Sequence, residues 1–325
     1  MSVILSAGLC TLALVVTGGF LFIPVLRKAK AGQPILKYVK EHENKNGTPT
    51  MGGLFFILPL SAVFFVFGGA KSRIATVSVA IGLFYMLVGF LDDFLKIKLK
   101  HNEGLKPYQK IIFQTAIAVL GGAFAYFNGL TDLYIPFVKK TVDVGIWITV
   151  VIALVFIAVT NSVNLTDGMD GLAGGVSMCY LFAIAAVIVL EKGFAPYLKS
   201  EEYDGLFLLI SVMIFSIFGF LVFNVPKAKV FMGDTGSLSL GGFVGAVSVF
   251  SGNTLFIPVI GFAFVWSSLS VIIQVAHFKR TKKRVFLMAP FHHHLQMKGF
   301  TETQICFYYS GFTVILGLVA VIFYL

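Results

Sequence analysis

Charge is scarce in this chain: 12% of its 325 residues are Asp, Glu, Lys or Arg. A soluble domain of that length carries about 25%, so a soluble globular fold is excluded. Cysteine is scarcer still. Cys10, Cys179 and Cys306 are the only three. Each lies in an apolar stretch and no paired spacing joins them, which excludes a disulfide framework or a cysteine metal site. They read as small packing residues. No Lys or Arg precedes Arg27, whereas Arg27, Lys28 and Lys30 follow the first apolar run. That polarity is the reverse of a cleaved signal peptide and predicts an N-terminus outside. No internal repeat of the kind that many transporters carry is visible.

What remains is apolar. Hydrophobic residues make up 58% of the chain and the mean hydropathy is +0.91. Runs of roughly 20 apolar residues recur along the length, enough to cross a hydrocarbon core about 30 Å thick as helices. Lipid cannot satisfy exposed backbone groups, so each run is expected to be helical. The expectation is an all-α integral membrane protein, a single polytopic unit over residues 1–325. Ten spans are expected near 3–26, 51–69, 74–91, 110–127, 146–160, 172–190, 206–223, 238–250, 255–276 and 304–324, the fifth and eighth being short.

The cations orient these spans. Of 25 Lys and Arg, 19 fall in the segments 27–50, 92–110, 225–237 and 277–303, and six in the segments between them. The positive-inside rule puts the first set in the cytoplasm, and ten spans then leave both termini outside. Cations placed this way meet lipid headgroups, and no nucleic-acid partner is expected.

Five short polar stretches interrupt the apolar pattern, and this topology brings all five out on the cytoplasmic face. Asp92 and Asp93 stand where the third span meets the cytoplasm. Neighbouring helical residues point about 100° apart, so one carboxylate can face a cleft while the other braces a neighbour. The plainer reading is a solvated helix end paired to Lys96 and Lys98, although a C-terminal helix end disfavours anions.

In NSVNLTDGMDGLAGG, residues 161–175, Asn161, Asn164, Asp167 and Asp170 recur every three residues with no Lys or Arg among them. Successive members would be neighbours on a helical or near-helical turn. Gly168 and Gly171 permit close backbone approach to a ligand. A structural cap needs one such polar group, not four.

Further on, Asn224 closes a span, and Asp234 lies between Gly233 and Thr235-Gly236. A simple N-cap is a sound alternative for that acid. Phe231 in the same loop can stack on a planar base or act as an interfacial anchor. KNGTPTMGG holds Lys45 and Thr50, and reads most simply as a turn before a helix.

The segment 277–300 concentrates five cations between Lys279 and Arg284, then presents His292, His293 and His294. Three successive histidines cannot all face one metal from a regular helix, so a zinc site is not expected. Imidazoles beside acids suit phosphate contact or proton transfer near neutral pH. Carboxylates and amides are hard oxygen donors that suit Mg²⁺, an ion that keeps waters and bridges to substrate phosphates. Cations can hold the remaining phosphate charge. The expected chemistry is phosphoryl transfer involving a diphosphate at the membrane surface.

With PTMGG, LDDF, NLTDGMDGLA, MGDTGS and APFHHH in order along nearly its whole length, the chain resembles the polyprenyl-phosphate N-acetylhexosamine-1-phosphate transferase superfamily. The triple histidine after Pro290 is similar to its muramoyl-peptide branch. The resemblance implies transfer of phospho-MurNAc-pentapeptide from UDP-MurNAc-pentapeptide to undecaprenyl phosphate, giving lipid I and UMP in peptidoglycan synthesis. It also implies Mg²⁺, ten helices, the bacterial inner membrane as location, and admits a homodimer. By motif match Asp234 is implied as Mg²⁺ ligand and Asp92 as a base for the lipid phosphate, with Asp93, Asn224, His292, His293 and His294 supporting or binding. Asn164, Asp167, Gly168, Asp170 and Phe231 are implied around the uridine and nucleotide. Lys45, Thr50, Lys96 and Lys110 are implied at phosphate or nucleotide. Gln296 departs from the pattern, standing where an acid is expected after the histidines.

Two other readings compete. A sister transferase would move another HexNAc-1-phosphate onto the same lipid. A cation-coupled transporter would use Asp and Asn within the membrane, but transporter sites tend toward the midplane, whereas these acids cluster at span ends.

Overall fold

A computed structural model describes residues 2–28, 47–99, 104–191 and 200–324. Lys45 lies outside the described residues. The chain is built of helices α1 (Ser2–Lys28), α2 (Gly53–Val66), α3 (Arg73–Leu99), α4 (Pro107–Phe127), α5 (Ile148–Thr166), α6 (Leu172–Glu191), α7 (Ser200–Asn224), α8 (Gly233–Phe250), α9 (Ile257–Ile260), α10 (Phe262–Thr281), α11 (Phe291–Met297) and α12 (Glu302–Tyr324). Eight of these are long and apolar enough to cross a membrane. The second and eighth expected spans correspond to shorter or less apolar helices, α2 of 14 residues and α8 of 18. The protein is an all-α integral membrane protein.

Helix α8 is the hub. Every residue from Thr235 to Phe250 is buried, chiefly against α3 and α5. Lipid association gains little from apolarity itself, so small residues that let backbones approach drive such contacts. Gly82 of α3 lies against the ring of Phe243, Gly241 meets the backbone of Thr160, and Gly89 of α3 abuts the carbonyl of Asp234. Ser239 Oγ donates to the carbonyl of Gly82 at 2.8 Å. A span shielded from lipid by its neighbours tolerates this Gly and Ser content. That is why its hydropathy signal started late: the helix begins at Gly233, five residues before the expected 238, and takes Asp234 into its first turn.

Other boundaries moved for similar local reasons. Helix α3 runs on to Leu99 rather than ending near 91, so Asp92 and Asp93 lie well inside a helix and not at its end. The expected ninth span is broken at Gly261, with α9 before it and α10 after. Helix α5 stops at Thr166, so the three-residue rhythm of 161–170 is helical only through Asn164.

A two-stranded antiparallel hairpin was not foreseen. Strand β1 (Asp132–Ile135) pairs with β2 (Lys140–Asp143), with Asp132 opposite Asp143. Phe137 at its turn packs edge-on against Phe323 of α12, ring centroids 4.6 Å apart. At the same end of the bundle, the N-terminus of α3 is capped from another helix. Glu202 of α7 accepts from Ser72 Oγ at 2.6 Å and from the Ile74 amide at 3.1 Å. The opposite end, where α3 and α5 finish and α2, α4 and α8 begin, collects the polar stretches.

Gly89→Ala would drive a methyl into the Asp234 backbone, and overpacking of this kind costs about 1–3 kcal/mol. The expected outcome is a lower unfolding midpoint in detergent; an unchanged midpoint would mean that α3 and α8 are not in this close contact.

Candidate active site

Asp234, in the first turn of α8, is met by three other helices. Lys110 Nζ from α4 lies 2.7 Å from its Oδ2, and Lys96 Nζ from α3 lies 3.1 Å from the same oxygen. Asn164 Nδ2 from the last turn of α5 donates to its Oδ1 at 2.8 Å, and to Ser237 Oγ at 2.8 Å. The N-cap reading of Asp234 is corrected here. Met232 is the N-cap and its own side chain makes no capping bond; the Asp234 carboxylate faces the lysines instead. The positive end of α8 further favours an anion at this position.

Asp92 and Asp93 divide their work as adjacent helical residues should. Asp93 is fully buried and turns inward, accepting from Thr235 Oγ1 at 2.7 Å, the Thr235 amide at 2.9 Å and the Asp234 amide at 3.2 Å. It holds the start of α8. Asp92, also buried, turns the other way: Lys96 Nζ lies 2.6 Å from its Oδ2 and the Leu105 amide donates to its Oδ1 at 2.9 Å. Lys98, the other cation of the solvated-end reading, is exposed. One carboxylate oxygen from each of Asp92, Asp93 and Asp234 lies within 4.8 Å of the others. Such a set of hard oxygens suits a divalent cation of the Mg²⁺ kind.

Around this centre the loops are tied by side chains. Asn224 accepts from the Gly171 amide at 3.0 Å and donates to the Val230 carbonyl at 2.9 Å. Asp170 accepts from the Ala228 amide at 3.1 Å, and both residues are buried. They brace the two loops against one another. The amide of Phe231 donates to the Pro49 carbonyl at 2.8 Å, and its own carbonyl accepts from Gly52 at 2.9 Å. Phe231 is half-buried. Gly233 adopts φ +70°, and a Cβ there would meet Asp93 Oδ2 at 2.5 Å and Thr50 Oγ1 at 2.6 Å. A left-handed backbone and no free space together require glycine, and they place buried Thr50 beside the acids.

Asp167 follows α5 as its C-cap residue. Burial pushes its carboxyl well above the usual carboxylate range, and the charges of Asp234, Asp93 and Asp170 push the same way. Gly168 packs against the rings of His292 and His293, bringing α11 onto this loop. His293 Nδ1 and Gln296 Oε1 are 3.2 Å apart, so Gln296 orients this ring through an amide oxygen. His294 turns to the other side of α11, where its Nδ1 accepts from the Leu287 amide at 3.1 Å. Desolvation, with the charge of Lys298, holds its pKa below the ordinary imidazole value.

The structure therefore brings Asp92, Asp93, Asp234, Lys96, Lys110, Asn164 and Thr50 together, with Asp167, Gly168, His292 and His293 on the adjoining loop. Asp170, Asn224 and the Phe231 backbone serve as bracing. Residues not singled out from the sequence also take part. Thr235 donates to Asp93, and Ser237 accepts from Asn164. Gln114 of α4, fully buried in an apolar span, accepts from Asn161 Nδ2 at 2.7 Å. A lone amide in such a span was a signal available beforehand.

The fold and this charged site define a class, a polytopic membrane transferase. The family model described as Glycosyl transferase family 4 matches residues 74–252, more than half of the chain, and the one described as Phospho-N-acetylmuramoyl-pentapeptide-transferase signature 1 matches residues 45–57. The chain is 40% identical to the phospho-N-acetylmuramoyl-pentapeptide-transferase of Clostridioides difficile, over 95% of this chain and 94% of that one. It is 37% identical to that of Desulfitobacterium hafniense, over 99% and 98%, and 39% identical to that of Staphylococcus carnosus, over 88% of each. The chain belongs to the phospho-N-acetylmuramoyl-pentapeptide-transferase family, and is a phosphoglycosyl transferase.

A carboxyl whose pKa is raised in the folded state binds its proton more tightly there than in the unfolded chain. Stability is then fully present below the unfolded value, about 4, and falls as pH rises toward the folded one. Thermal unfolding in detergent is expected to show that fall for the native protein and a flatter profile for Asp167→Asn. Identical profiles would mean that Asp167 is ionised in the fold.

Proposed function

We propose that this protein transfers phospho-MurNAc-pentapeptide from UDP-MurNAc-pentapeptide to undecaprenyl phosphate on the cytoplasmic face of the bacterial inner membrane, releasing UMP and forming lipid I. The observation that carries this is the meeting of three carboxylates and two ammonium groups at one end of a membrane bundle, within a family whose relatives bear that enzyme's name. Ten crossings with both termini outside complete the reading, supported by the 19 cations on the site's side. Assembly as a homodimer belongs to it too.

Mg²⁺ fits the donor set, with Asp234 as the ligand and Asp92 and Asp93 beside it. When bound, the ion offsets charge on the diphosphate. Lys96 and Lys110, now held on Asp234, supply ammonium donors for phosphate oxygens, with Lys45 and Thr50 in support. Asn164, Asp167 and Gly168 form the rim for the nucleotide, Asp170 braces the loop behind them, and Phe231 offers its ring to the uracil face. His292, His293 and His294 build the opposing wall, the last through the Leu287 loop.

In the transfer, an oxygen of the lipid phosphate bonds to the sugar-bearing phosphorus. The bond from that phosphorus to the oxygen shared with UMP breaks, and its electron pair leaves on UMP. Asp92 takes the lipid phosphate's proton. Direct in-line attack is the simpler course, because the lipid phosphate is already anionic and needs positioning more than activation.

UMP release from defined substrates tests the reading. UDP-MurNAc-pentapeptide should be turned over in preference to UDP-sugars lacking the peptide; preference for a plain UDP-HexNAc would make this a sister transferase, and ion movement in liposomes without UMP release would make it a transporter. Asp234→Ala should abolish turnover in a folded protein, and chelation of divalent cations should do the same reversibly. Asp92→Asn should cut turnover by a factor of about 10²–10⁴ while nucleotide binding persists, and equal loss of both would remove Asp92 as the base.

A further inference from the structure

Helix α11 is short, and its N-cap residue Pro290 makes no side-chain capping bond. Its first amide is received by another helix instead. The Phe291 amide donates to Ser270 Oγ of α10 at 3.0 Å. The histidines that follow at once depend on this fastening. The rings of His292 and His293 lie against Gly168, and His292 is fully buried. Where Phe291 is held thus sets where those rings meet the loop.

Ser267, three residues before Ser270 and on the same face of α10, is used in the same way. It accepts from Thr166 Oγ1 of α5 at 2.9 Å. Each serine spends its own hydrogen inside α10, Ser267 on the Ala263 carbonyl at 3.1 Å and Ser270 on the Ser267 carbonyl at 2.7 Å. A hydroxyl bonded back to its own helix has only acceptor lone pairs left to offer. Both serines give theirs to donors from other elements. Thr166, Ser267 and Ser270 are all fully buried, where an unmet hydroxyl or amide is costly.

Helix α10 is therefore a strut between the end of α5 and the start of α11. Thr166 is the last residue of α5, and Gly168 follows two residues later. The figure closes on itself: α5 meets α10 through Ser267, α10 meets α11 through Ser270, and α11 returns to the loop after α5 through the histidine rings. The plainer reading is that buried hydroxyls only glue helices together. Ser268 supplies the contrast, because its Oγ lies 2.7 Å from Ser162 Oγ. That pair also joins α10 to α5, but it stands outside the closed figure.

We propose that Ser267 and Ser270 are positioning residues of the transfer, which fix the spacing between the Gly168 loop and the rings of His292 and His293. They act through Thr166 and Phe291. The kinetic consequence rests on the transfer proposed above, with Gly168 and the histidines on facing walls of the nucleotide site; the structural consequence does not.

The full chain in detergent provides the test. Ser270→Ala should raise KM for UDP-MurNAc-pentapeptide about fivefold, the scale of one lost hydrogen bond, and leave KM for undecaprenyl phosphate at its native value. Ser267→Ala should act alike, and joining the two should add little, since either break opens the same frame. Ser268→Ala should leave both constants unchanged. Amide exchange read by mass spectrometry should quicken in the peptide that holds α11 for Ser270→Ala and stay native for Ser268→Ala. Equal effects of Ser268→Ala and Ser270→Ala, a parallel rise in both KM values, or native exchange in α11 would overturn the frame in favour of general helix packing. A native chain that releases no UMP would sink the transfer, and the exchange measurement would still decide the frame.

Discussion

The ion-paired carboxylate of Asp234 is the constraint on which the remaining architecture depends. Two ammonium groups and an amide from α3, α4 and α5 converge on it at the head of α8. Removing charges from water is costly, and a half-buried pair is tolerated only when its geometry and hydrogen bonds are complete. Four helix ends must therefore arrive at one place before the node can close. In return, a membrane bundle acquires a polar centre whose carboxylates are paired within it.

The close helix contacts serve that node. Glycines at 82, 89 and 241 let α3 and α5 approach α8 within backbone distance, and Asp93 then reaches the first amides of α8. Asp92, one residue earlier, is left to Lys96 and the Leu105 amide. A single pair of adjacent acids thus separates a group that braces α8 from one that meets Lys96, because a helix turns about 100° between neighbours. The same economy appears in α11, where three consecutive histidines divide between the Gly168 loop and the returning segment after α10.

Much of this was legible beforehand. Low charge, long apolar runs and the bias of Lys and Arg were enough for a polytopic helical protein, since lipid leaves the backbone little alternative. The polar interruptions marked the site because such residues are costly near lipid. Boundaries were less legible. Helix α8 hid its first turn behind Gly and Ser that lipid-facing spans avoid, and α3 ran past its apolar stretch because its last turns pair Asp92 with Lys96. The β1–β2 hairpin gave no signal, its four-residue strands being too short to show alternation.

Class, membrane setting and the roster of charged residues were thus written in the sequence, because hydropathy and charge are local properties summed along the chain. Division of labour among those residues was not. Whether Asp170 and Asn224 brace loops, which lysine meets Asp234, and how Gln296 takes up the acceptor role beside His293 depend on distances between segments far apart in the chain. Only the packing of α3, α4, α5 and α8 around one carboxylate decides them.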